Sequence, residues 1–154
     1  MATDTTPRAR RPRARGLHLL LLPCLAALSA CAGTHDLSSS GCLPLRAPTQ
    51  VVLAQEAGLY SVRDAKTLIL TEHPRKGVNA GTPPVRTLPP GTRLAIERLQ
   101  QAWGFDTGKG RISAFGTLPG GEAFEYGWGA GTTIGRAPWE PATVPNLRTV
   151  ACGK

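Results

Sequence analysis

The sequence predicts a mainly β fold, a small barrel or sandwich of six to seven short strands, with a cleaved N-terminal signal peptide in front. Three observations carry this expectation. Proline and glycine recur in "NAGTPP", "LPPGT", "GFDTGKG", "LPGGE" and "WGAGTTIG", cutting residues 51–154 into pieces too short for long helices. Apolar and polar residues alternate in "EAFEYGW", so Phe124, Tyr126 and Trp128 share one face of an extended segment. The long apolar run, Leu17 to Ala30, is interrupted by Pro23 and falls short of the roughly 20 residues that a membrane-spanning helix needs.

That run follows Arg8, Arg10, Arg11, Arg13 and Arg15 and gives way to the small, polar stretch "CAGTHDLSSSG". A basic region, a short apolar region and a small-residue site form the layout of a secretory signal peptide, here residues 1–30. The site itself, Leu28-Ser29-Ala30-Cys31, resembles the lipobox of bacterial lipoproteins. The resemblance covers only the leader. It implies that Cys31 receives a diacylglyceryl thioether carrying palmitate-type chains and becomes the first residue after cleavage. Two or more such chains hold a protein stably on a membrane, whereas one does so marginally. It also implies a cell-envelope location, facing the periplasm from the outer membrane if the host has one, because the position after Cys31 is Ala32 and not the aspartate associated with inner-membrane retention. Residues 31–50, rich in Ser, Gly, Thr and Pro, are expected to be a lipidated flexible tether to a single domain over 51–154.

Loss of the leader changes the charge balance. The chain has 18 Lys and Arg against 10 Asp and Glu, and the mature part keeps 13 against 9, a net charge of +4. These charges are scattered among one another, so no stripe for nucleic acid is expected, and the partners anticipated are a membrane and an envelope protein or a peptidoglycan-type glycan. With Cys31 acylated, Cys42 and Cys152 remain, and in an oxidising compartment they are expected to form a disulfide. Neither has a C-x-x-C neighbour, and His35 and His73 are far apart in sequence, so no metal site is expected.

Within the domain, "VVLAQ", "LYSV", "TLILT" and "VRTL" supply short apolar strands. Leu88-Pro89-Pro90-Gly91-Thr92 reads as a turn into "TRLAIERL", with Leu94 and Ile96 on one face. The same residues run on into "QQAWGF", where Ile96, Leu99 and Trp103 also fit a helical stripe ended by Gly104, leaving residues 92–103 open between helix and strand, with strand favoured because of the preceding turn. "RISAFGTL", Pro119-Gly120-Gly121 and "EAFEYGW" form a hairpin. The progression from "GLYSVRDA" through "VRTLPPGTRLAIERLQQAW" resembles bacterial SH3-like domains over about half of the domain. That resemblance implies a small barrel and binding of cell-wall peptides or proteins.

Seven of the eight aromatic residues, all but Tyr60, fall between Trp103 and Trp139 and are expected chiefly in the core. Trp128 and Trp139, flanked by glycine and proline, are the candidates for a partly exposed exception that could stack on a sugar or peptide ligand. "GFDTGKGR" lacks the spacing and the Ser or Thr of a phosphate loop, and "GWGAGTTIG" follows no βα pattern, so no cofactor is expected. Glu72 and His73 could form an acid/base pair, with Asp106 or Glu122 as a second carboxylate, provided that both leave the strand. No catalytic residue is assigned beyond that pair. The function expected is a non-enzymatic, lipid-anchored envelope module that binds a protein or glycan or assists assembly. The alternatives are a small hydrolase built on Glu72 and His73, and an inhibitor or immunity-type protein.

Overall fold

The computed structural model describes residues 32–61, 67–73 and 81–152. The expected signal peptide, residues 1–30, and Cys31 lie outside the described residues. Among those described there is no helix, and the expected mainly β fold holds. Ten strands belong to one hydrogen-bonded sheet: β1 (Ala32–Asp36), β2 (Thr49–Val52), β3 (Ala57–Tyr60), β4 (Leu68–Glu72), β5 (Arg86–Leu88), β6 (Arg93–Gly104), β7 (Gly108–Thr117), β8 (Ala123–Ala130), β9 (Thr133–Gly135) and β10 (Leu147–Thr149).

The long meander β6–β7–β8 is the spine. Its strands are antiparallel neighbours, and each outer edge is shared by two shorter strands. On β6, β2 pairs with Arg93–Ile96 and β1 with Gln100–Gly104. On β8, β4 pairs in parallel with Phe124–Tyr126, and β9 pairs with Gly129 and Ala130. β3 and β5 extend the sheet beyond β4, and β10 adds to β9.

The stretch left open over residues 92–103 is a strand from Arg93 onward. Leu94 and Ile96 face the core as alternation requires, but the register shifts between Ile96 and Arg98, and the next inward residue is Leu99. A β-bulge of this kind adds one residue to one strand and restarts the alternation. Ile96 and Leu99 are both fully buried, three positions apart, which is why a helical stripe could be read from a strand.

The expected tether is corrected. β1 begins at Ala32 and runs in register with β6, Ala32 opposite Gly104 and Asp36 opposite Gln100. Leu37 and Leu43 are buried in the core, and the Leu37 amide donates to the Leu99 carbonyl at 2.8 Å. The compact unit thus starts at Ala32, not at residue 51. Small polar residues make this possible: a strand held by backbone bonds to an open edge needs no apolar alternation, and two leucines suffice to seat the segment that follows it.

The core is formed by Leu53, Leu59, Leu70, Leu94, Ile96, Leu99, Ile112, Phe124, Trp128 and Ile134, with the smaller residues around them. Phe124, Tyr126 and Trp128 all point inward from β8, as their alternation predicts. Buried Gln101 donates to the Gly131 carbonyl at 2.7 Å and so fastens β6 to the β8–β9 turn. Cys42 and Cys152 lie at disulfide distance, Sγ to Sγ 2.03 Å, joining the start of the fold to its last described residue.

Candidate functional site

The second edge of β8 creates a cleft. β4 leaves this edge after Tyr126 and β9 takes it up at Gly129, so the backbone between them is uncovered at a fork in the sheet. The cleft that opens there has a volume of about 550 Å³. Its far wall is the loop from Arg136 to Asn146, docked onto residues 54 and 55 by two amide bonds to the Pro138 carbonyl, 2.9 and 3.2 Å long.

Glu72 and His73 both line this cleft. Glu72 is the last residue of β4 and His73 lies just past it, so the alternation that would separate them no longer applies. The His73 ring is held from β3: its Nδ1 is 3.2 Å from the Tyr60 hydroxyl, in a hydrogen bond whose donor is set by the imidazole tautomer. Its Nε2 is 3.9 Å from a Glu56 carboxylate oxygen, an ion pair only when the ring is protonated. Glu72 and Arg136 line the same open cleft as Glu56 and His73. The Arg136 guanidinium donates to the carbonyls of Ala142 and Val144 at 2.7 and 3.2 Å, which braces the wall loop.

The floor is aromatic. Tyr126 donates from its hydroxyl to the Arg136 carbonyl at 3.3 Å. Burial pushes its phenol well above the ordinary tyrosine range, and the charges of Glu140 and Glu72 push it further the same way, so it presents a neutral hydroxyl. The hydroxyl groups lining the cleft are those of Thr71 and Tyr126. The cleft therefore gathers two carboxylate residues, an imidazole, an arginine and two hydroxyl-bearing residues around one open volume.

Other expected site residues lie elsewhere. Trp128 is corrected: it is 2% exposed and its indole N–H donates to the Gly135 carbonyl at 3.1 Å, so it has no face to offer a ligand. Trp139 is half-buried and packs edge-on to both Tyr126 and Trp128, with centroids 5.1 and 5.5 Å apart. Asp106 sits in the β6–β7 turn and Glu122 in the β7–β8 turn, where it pairs with Arg86; neither reaches the cleft. Among the described residues no group of three or more His, Cys, Asp or Glu is placed to hold a metal ion, and no helix is long and apolar enough to cross a membrane. Glu56, Arg136 and Asn146 are cleft residues that sequence patterning did not single out, because each belongs to a loop without periodicity.

Comparison with protein-family models, with curated proteins and with solved structures finds no match to this chain.

Proposed function

We propose that this chain is a bacterial envelope lipoprotein, acylated at Cys31, whose β domain binds a polar partner, a glycan or an envelope protein segment, in the cleft at the β4/β9 fork. The observation that carries the binding reading is the cleft itself: a preformed, open space whose lining combines Glu56, Glu72, His73 and Arg136. Both charge signs face one volume, which suits a partner carrying amines and carboxylates, as peptide-linked wall glycans do. The lipobox-like Leu28-Ser29-Ala30-Cys31 supports the anchor. The Cys42–Cys152 pair supports an oxidising compartment.

Two measurements test this. Labelled fatty acid should enter the wild-type protein and not Cys31→Ala; equal labelling of both refutes the anchor. Capture of envelope components by the full-length protein should weaken in Glu72→Lys and in Glu56→Lys while the far-ultraviolet spectrum is unchanged. The placement of His73 beside Glu56, with Glu72 lining the same cleft, also permits a hydrolase. If wall material is cleaved by the wild type and not by His73→Ala, catalysis replaces binding as the function of the cleft.

A further inference from the structure

The end of the sheet at which β1 begins has an exposed aromatic tip. Ala32 pairs with Gly104, the last residue of β6, and the β6–β7 turn follows at once with Phe105, Asp106 and Thr107. Phe105 is 87% exposed, the most exposed large apolar side chain among the described residues. A phenylalanine left in water at a hairpin tip contributes nothing to the core and costs solubility. Beside it, Trp103 lies opposite Gly33, its indole over the glycine and stacked on His35 with ring centroids 5.7 Å apart.

The proposed lipid site, Cys31, immediately precedes Ala32 in sequence. β1 is already in register with β6 at Ala32, so no free linker separates an acylated Cys31 from the sheet. Acyl chains on that cysteine would bring the bilayer surface to the end of the sheet where Phe105 stands. Tryptophan is enriched at the membrane–water interface, and phenylalanine joins it on apolar faces that bury into the headgroup boundary.

We infer that the β6–β7 hairpin tip, led by Phe105 with Trp103 behind it, inserts into the lipid surface and fixes the orientation of the domain on the membrane. This rests on acylation of Cys31. The lipid is identified by the exposed aromatic at the tip and by its place next to the anchor. A protein partner for Phe105 is the competing outcome, and the test separates the two.

The full-length protein would be produced with its leader, purified and reconstituted in phosphatidylethanolamine/phosphatidylglycerol vesicles. Phe105→Cys, labelled with an environment-sensitive fluorophore, should emit to the blue of the same label at Gly120→Cys in the opposite turn, and should be quenched by brominated lipid and shielded from aqueous iodide. In unlabelled wild type, brominated lipid should quench part of the tryptophan emission, and Trp103→Phe should remove the quenched part. Labels at 105 and 120 that behave alike, or wild-type emission untouched by brominated lipid, overturn the inference in favour of a solvent-facing tip available to protein. The mass of the N-terminal peptide is read on the same sample. An acylated Cys31 with a solvent-exposed position 105 sinks the insertion and leaves the anchor standing; an unmodified Cys31 sinks both.

Discussion

Tyr126 shows how one buried hydroxyl couples the cleft to stability. Its phenol is held above the ordinary range, so the folded protein keeps it neutral where the unfolded chain ionises, from about pH 10. Stability from this group is therefore complete below that pH and is lost as pH rises past it. Urea midpoints followed from about pH 8 to about pH 11 should fall at the alkaline end, and the fall should be shallower in Tyr126→Phe. Gly116 is constrained in a different way. A Cβ built there would overlap the Ala95 carbonyl across the β6–β7 pair and crowd the Phe124 ring. Both neighbours are backbone or core, so Gly116→Ala should lower stability by about 1–3 kcal/mol, read as a lower denaturation midpoint with an unchanged slope. An unchanged midpoint would show that these strands do not approach so closely.

At the scale of elements, the shortest strands depend on side chains. β9 and β10 have three residues each, too few for their backbone bonds alone to hold an edge. Arg148 of β10 supplies the rest: its Nη2 donates to both carboxylate oxygens of Glu140, at 2.8 and 2.7 Å, and to the Gly135 carbonyl at 3.2 Å. Glu140 in turn accepts the Ala137 amide at 2.7 Å. Both side chains are largely shielded, 22% and 12% exposed, so removing one partner strands the other. Arg148→Met should cost about 2–3 kcal/mol, below the full figure for a buried pair because Arg148 keeps some contact with water. Faster amide exchange at residues 147–150 would locate the loss in β10. The strands legible in the sequence were those with an apolar rhythm: β2 to β8 each contain a run that patterning singles out. β1, β9 and β10 were not, because "AGTHD", "TIG" and "LRT" owe their conformation to the edges they meet. The cleft was half legible. Glu72 and His73 stand out as titratable neighbours before a proline, but the loop that completes the walls is placed by amides that donate to the Pro138 and Asn146 carbonyls, which no local pattern announces.

For the whole molecule, the cysteine pair sets the largest single constraint, closing a sequence separation of 110 residues. In the chain-entropy account a bridge over about 100 residues contributes up to roughly 4–5 kcal/mol, and measured values of about 2–4 are common. Cys152→Ser should lower the unfolding free energy of the oxidised protein by that amount, and reducing the wild type should reproduce the loss. If the two forms unfold together under oxidising conditions, the bridge is not carrying the load assigned to it. Its position also determines where a cargo can be grafted. The Cys152 carbonyl accepts a hydrogen bond from Lys109, whose strand neighbour Trp103 sits across from Gly33, so the last described residue is tied to the end of the sheet where β1 begins. A fluorescent reporter fused behind Cys152 would be delivered beside Ala32 and compete with whatever that end docks on, whereas the same reporter spliced into Pro119–Gly121 would project from the far side and leave it clear.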